Sequence, residues 1–273
     1  MILIASSSKD LASVNIAEKI MEHYSFNETL EKIHGNKVYE ADVGDKKVRL
    51  VTLNVELVYT QEIIESIPDI EAVIFVSRHS SISGIPTLSV HVPGNLGKAE
   101  LGGKPEKVSI APALAMKAAL KTMENLVRDR DLVYEVSYEC THHGPSLDVP
   151  AMFAELGSSP ENWKDQEAAE IVAHAVMKAV LNFEGEHNRV ALGIGGPHYN
   201  FKFTRKALEE NVAFGHIIPK YAFPLDQGTL RHCIERTLET VELAVLDWKG
   251  IKGAYKQQIL ETVEKMGLEL VKV

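Results

Sequence analysis

The sequence predicts an α/β fold built on a mixed, mainly parallel sheet with helices on both faces. Two observations carry that expectation. Short, unbroken apolar runs such as "EAVIFVS" (71–77) and "RVALGIGG" (189–196) have the composition of strands buried on both faces. Between such runs lie longer segments whose apolar residues recur at helical spacing, which is the order of βα units. The chain of 273 residues is 45% apolar and 25% charged, an ordinary globular balance. That length buries roughly three quarters of the unfolded surface. No repeat, low-complexity tract or linker divides residues 1–273, so one domain is expected.

The elements follow in order. "MILIA" reads as a first strand rather than a signal peptide, because it lacks a basic flank and turns polar after Ala5. Ser6, Ser7 and Ser8 then lead to a helix over 10–21. "KVYEADV" and "KVRLVTLN" alternate around Gly44-Asp45, as a hairpin at a sheet edge would. "EAVIFVS" is a central strand, and "TLSVHV" follows a Ser/Gly/Pro-rich loop. Residues 93–110 have no periodicity; a loop this long inside a compact domain points to function. "APALAMKAALKTMENLVRDR" is the clearest helix. "LVYEVSYE" is a strand, 165–183 a helix, "RVALGIGG" a strand, and "TRKALEEN" a short helix. "TLRHCIERTL" and the segment after Lys249 are helical, and "ELVKV" is a last strand.

Bulk properties exclude several classes. A net charge of -9 argues against a broad nucleic-acid-binding surface, and so against DNA. No apolar run approaches the ~20 residues of a membrane span. Cys140 and Cys233 are too few for a disulfide framework, which suggests a reducing, cytoplasmic compartment. A dinucleotide fingerprint, a phosphate-binding P-loop, a His-Glu-x-x-His helix and a Gly-x-Ser-x-Gly elbow are all missing.

The chemistry is carried by 11 histidines and by where they fall. "FVSRHSSISG" puts Ser77, Arg78 and His79 just past a buried strand. "ECTHHGP" puts Glu139, His142 and His143 at the end of another, "GIGGPHYNF" puts His198 and Tyr199 past a third, and "AFGHIIPKYAF" sets His216 in a fourth. Ligands of open α/β sheets bind beyond the carboxyl ends of the strands, where these loops converge if the strands are parallel. His91 in "TLSVHV" points to the same crevice. Such a His-rich, Cys-free crevice, with Glu139, Asp148 and Glu155 nearby, suits zinc and attack by water. Adjacent His142 and His143 on extended backbone point apart, so one is expected to face the crevice and the other to anchor the loop. Each histidine also has a plainer reading as a loop or core residue; His23, His34, His174, His187 and His232 are read as surface residues.

Together, "SRHSSISGIPTLSVH", "THHGP", "GIGGPHY" and "GHIIPKY", in this order and over essentially the whole chain, resemble the archaeal-type D-aminoacyl-tRNA deacylases. The resemblance implies hydrolysis of the ester between a D-amino acid and the 3′ end of tRNA, with release of both. It implies a three-layer α/β/α sandwich similar to phosphorylases and peptidyl-tRNA hydrolases, and zinc as cofactor. Carried over by position, it points to His79, His142, His143 and His198 as catalytic. Zinc ligands are drawn from His79, His91, His142, His143, His198 and His216. Substrate contacts fall to Ser77, Arg78, Gly195, Gly196, Tyr199 and Lys202. Ser146 stands in place of a threonine, and Pro197 has no N–H to offer an oxyanion. Lys98, Lys104, Lys107, Lys202, Arg205 and Lys206 are candidates for a local patch gripping the tRNA acceptor end, with Tyr199, Phe201 and Phe203 stacking on its terminal base. "YNFKF" reads equally as a half-buried strand. A monomer or small homo-oligomer is expected.

Three other functions fit parts of the pattern. In a nucleoside phosphorylase, Arg78, His79 and the glycine turn would hold phosphate, and turnover would require it. A zinc-dependent amide or peptide hydrolase would cleave free substrates as well. A binding module would keep RNA affinity without the histidines and show no turnover.

Overall fold

Strand β1 (Ile2–Ser7) is buried along its whole length and runs parallel to the strands on either side, β4 (Lys46–Leu53) and β5 (Ala72–Arg78). The computed structural model describes residues 1–183, 185 and 188–273. The expectation for His187 falls outside them. The large sheet has eight strands. At one edge, β2 (Asn27–Ile33) and β3 (Asn36–Val43) extend β4 in antiparallel fashion. On the other side β8 (Ala151–Gly157) joins β5 in parallel, β6 (Thr87–His91) is antiparallel to β8, and β7 (Glu135–Tyr138) is parallel to β6. The sheet is mixed and mainly parallel, as expected.

Helices cover its faces through the period-2 alternation of strand side chains. Ile2, Ile4, Ile74, Val76, Met152 and Ala154 face α1 (Leu11–His23), while Leu3, Phe75, Val73 and Phe153 face the short α2 (Gln61–Glu65) and its flanking loops. Two further helices, α3 (Ala113–Asp129) and α4 (Gln166–Val180), complete the first layer. Asp10 starts α1 by accepting the Ser13 N–H at 3.1 Å, and Asp165 does the same for Glu167 and Ala168 in α4.

A second sheet was not expected. It orders β10 (Val212–Ile218), β9 (Arg189–Ile194), β11 (Val241–Leu246) and β12 (Glu269–Lys272), all parallel. Helix α5 (Phe201–Glu209) buries Phe203 against Phe214, and α6 (Gln227–Glu235) and α7 (Gly253–Lys265) pack on this sheet's other side. Helix α3 touches both sheets.

Other differences are local. "YNFKF" is a helix start, because the Asn200 side chain accepts the Phe203 N–H at 3.1 Å and caps α5. Strands β2, β8 and β11 were not expected at all. The hairpin of β3 and β4 is not the edge, since β2 lies outside it.

Candidate active site

Three neighbouring strands place the first site residues by register alone. Ser77 on β5, Glu155 on β8 and Ser89 on β6 stand opposite one another, and His91 stands opposite Phe153. Alternation puts all of them on the sheet face that carries Phe75. The His91 ring stacks on Phe153 at 4.9 Å and 5°. Ser77 donates to Glu155 Oε1 at 2.6 Å. Pairing of β7 with β6 carries Glu139 to the same point, where Ser89 donates to its Oε1 at 2.5 Å. Glu139 and Glu155 are only 1% and 3% exposed.

The loop that follows turns both of its histidines inward. His143 has a φ of 41°, so the pair is not extended and the rings lie 4.2 Å apart, both against His91. The expectation that only one faces the crevice therefore fails: both line the same cavity of about 500 Å³. His142 Nδ1 donates to the Cys140 carbonyl and His143 Nδ1 to the Gly144 carbonyl, each at 2.8 Å. That fixes the tautomer and leaves each Nε2 lone pair free. Glycine is required at the turn, because a Cβ on Gly144 would stand 2.1 Å from the Gly103 nitrogen of the 93–110 loop.

The second sheet supplies the remaining members. Convergence does not come from parallel strand ends, since β6 and β7 run against β5. Instead, the loop after β9 zips onto the end of β7: Cys140 N–H donates to the His198 carbonyl and Asn200 N–H to the Tyr138 carbonyl. Nearby, the Thr141 N–H donates to the Ile217 carbonyl of β10. His198 Nε2 thereby reaches Glu139 Oε2 at 2.7 Å, and Tyr199 bonds His79 Nε2.

Electrostatics divide the imidazoles into two kinds. Burial opposes charge on His79, but Glu139 at 3.0 Å and Glu155 at 3.2 Å hold its pKa up at about 10. Burial is likewise outweighed at His198 by Cys140 and Glu139, again to about 10. The same contacts keep Glu139 well below the usual carboxylate range, and His79 and His91 keep Glu155 low, despite complete burial. Two carboxylates and two imidazoliums thus balance. In contrast, burial and the neighbouring imidazoles push His142 well down, and His143 down to about 4. These two rings are neutral at neutral pH.

Of the expected residues, the structure gathers His79, His91, His142, His143 and His198 with Ser77 and Tyr199. It does not gather His216, whose Nδ1 meets Thr141 Oγ1 and whose Nε2 donates to the Arg236 carbonyl, both at 3.0 Å; it is a satisfied core histidine. Arg78 lines the cavity, yet its guanidinium is engaged by Glu56 at 3.2 Å and Asp10 at 3.7 Å. Lys202 is tied to Asp247 at 2.6 Å. The Gly195 N–H donates to the Ile218 carbonyl, and Gly196 packs on Asn200 and Asp247, so both glycines shape their own loop. Asp148 pairs with Lys107 and Arg236. The expected cationic patch is dispersed, with Lys104 on Glu65 and Lys206 on Glu210, while Lys98 borders a smaller cavity of about 330 Å³ behind the histidine pair. Phe203 is buried and cannot stack on a base; Phe201 is exposed.

Nor is the crevice free of cysteine. Cys140 Sγ lies 3.3 Å from His198 Nδ1 and 3.0 Å from the Tyr221 hydroxyl. Its place in "ECTHHGP", at the strand end that flagged Glu139, was the available signal. Tyr221, Asp10 and Glu56 carried no such mark.

The same crevice holds donors for a metal ion. One nitrogen from each of His91, His142 and His143 lies within 4.8 Å of the others. Both ring nitrogens of His91 are buried without any hydrogen-bond partner, its Nε2 being 3.6 Å from Glu155. A buried imidazole without partners is costly unless something else satisfies it. The donor set fits a transition ion.

Comparison with known proteins agrees with this architecture. The chain is 44% identical over 278 aligned positions to a D-aminoacyl-tRNA deacylase of Thermococcus kodakarensis and 42% identical to one of Pyrococcus abyssi, covering 99% of each and of itself. Among solved structures, a conserved protein described as of unknown function superposes with a TM-score of 0.88 at 33% identity, over 100% of this chain and 95% of that one. Residues 66–271 match the family described as D-aminoacyl-tRNA deacylase. The chain belongs to the D-aminoacyl-tRNA deacylase family.

Proposed function

We propose that this chain hydrolyses the ester joining a D-amino acid to the 3′ end of tRNA, and that residues 1–273 act as one catalytic domain holding zinc at His91, His142 and His143. One observation carries the reading: neutral imidazoles with free Nε2 lone pairs stand beside a charge-balanced set of imidazoliums and carboxylates. Zinc, when bound there, supplies Lewis acidity toward the ester. The chain's own groups supply the rest. With those three rings each committed to the ion through one nitrogen, the ionised Glu139, whose Oε2 stands 3.7 Å from His142 Nε2, takes the proton of the attacking water, and Tyr199, backed by the protonated His79, donates toward the oxygen on which charge develops.

The histidine pair also separates two spaces for the two halves of the substrate. The larger cavity, where Arg78 and His79 pair with Asp10, Glu56 and Glu155, suits the polar aminoacyl group. The smaller one, with Asn95, Lys98 and Tyr221, suits the terminal nucleotide. Cys140 and Cys233 are both free, which fits work in a reducing cytoplasm, and among the described residues no helix is long and apolar enough to cross a membrane. The test is direct: D- and L-aminoacyl-tRNA are incubated with protein before and after chelation. Expected is release of the D-amino acid alone, lost on metal removal and restored by zinc. Equal cleavage of both enantiomers, or full activity in metal-free protein, would refute it.

A further inference from the structure

A second convergence of metal-binding side chains lies away from the crevice, where the end of α1 meets α4. His23 closes α1, and Glu170 and His174 stand one turn apart on α4. One ligand atom from each lies within 4.8 Å of the other two. His23 Nε2 is 3.4 Å from Glu170 Oε2, and His174 Nε2 is 3.5 Å from Glu170 Oε1. Both are longer than a good N–H···O hydrogen bond. The two rings face each other at 5.0 Å, tilted by 52°. Three donors thus point into one small space without closing it among themselves.

Surrounding groups hold that arrangement. The Tyr24 hydroxyl meets His174 Nδ1 at 2.9 Å, which leaves Nε2 to the shared space. A hydrogen bond on the far ring nitrogen is how metal-binding imidazoles are oriented. Arg130 Nη2 donates to Glu170 Oε1 at 2.6 Å and leaves Oε2 turned to His23. The place is remote from the crevice. Helix α1 leaves the crevice wall at Asp10 and runs for 13 residues, so His23 lies roughly 20 Å away.

We propose that His23, Glu170 and His174 form a separate structural site for zinc or a similar divalent transition ion, which pins α1 to α4. Two imidazole nitrogens and one carboxylate oxygen suit zinc, cobalt or nickel, whereas magnesium and calcium take all-oxygen sets. The competing occupant is a proton, which would make a plain ion pair of the same residues.

The experiment uses full-length protein stripped by chelator and reloaded with zinc or, in parallel, cobalt(II). Metal per chain is measured for the wild type and for the double variant His23→Gln/His174→Gln, with circular dichroism to check folding. The variant should hold one equivalent less, gain less in thermal midpoint on zinc addition, lose part of the visible cobalt absorption, and keep its deacylase activity. Glu170→Gln alone, which preserves the side chain's shape, should weaken zinc at this site about tenfold or more. Equal metal content in wild type and double variant overturns the proposal. So does a loss of metal with a proportional loss of activity, because the ion would then belong to the crevice.

Discussion

Single side chains here separate chemistry from scaffolding. His142, half-buried, and His216, fully buried, are both pushed-down imidazoles, but His142 has a free Nε2 in the crevice and His216 has both nitrogens bonded. Replacing His142 or His143 with Ala should lower kcat on D-aminoacyl-tRNA by about 10²-fold or more with the thermal midpoint nearly unchanged. His216→Ala should do the reverse, emptying a buried site and taking one hydrogen bond each from Thr141 and the Arg236 carbonyl, at about 3 kcal/mol, while kcat per folded molecule holds. Paired measurements of kcat and unfolding midpoint check this; a kcat loss at His216 matching that at His142 would return it to the site. Position after a strand end picked out four of the six histidines expected to bind metal, His79, His142, His143 and His198, and His91, the last residue of β6, joins them in the crevice. It could not reveal His143's left-handed backbone, which turns two neighbouring rings the same way, nor the Thr141 and Arg236 contacts that retire His216. Those depend on chain brought from 75 and 20 positions away.

At the level of strands and loops, the fold was readable wherever a segment's own composition matched its surroundings. Buried runs such as β5 and β9 announced themselves. "AMFAELG" did not, because Ala, Met, Glu and Leu favour helix, and only its place between β5 and β6 makes it the strand that bears Glu155. "NETLEKI" is a largely exposed edge strand without an apolar face to read. The unpatterned 93–110 loop proves to be the backing of the histidine turn, with Gly103 against Gly144. Gly144→Ala should therefore push the two loops apart, at about 1–3 kcal/mol, and misplace both imidazoles. Expected is a lower unfolding midpoint together with at least ~10-fold lower kcat, while Gly97→Ala, with open space at its Cβ, leaves both unchanged. A wild-type kcat in Gly144→Ala would show that the loop contact does not position the chemistry.

For the protein as a body, the buried histidines set the acid limit. His143 and His216 fall to about 4 and His142 lies well below its usual value, against about 6.5 unfolded. The unfolded chain binds more protons between these values, so these rings make stability rise with pH from about 4 to 6.5 and fall as acid is added. His79 and His198, raised to about 10, act oppositely: their contribution is full below about 6.5 and is lost toward pH 10. Denaturant midpoints between pH 4 and 7 should fall on the acid side, and His216→Gln should flatten that slope by up to roughly 1.4 kcal/mol per pH unit. An unchanged slope would mean that His216 is charged when folded. The zipper between the loop after β9 and the end of β7 has a consequence in time as well as space. A chain still being synthesised has both carboxylates and four of the five crevice imidazoles by residue 155, but His198 follows β9, and its loop and the end of β7 are tied to β10, which ends at Ile218. Synthesis therefore leaves the imidazole that pairs with Glu139 until the second sheet has begun to form.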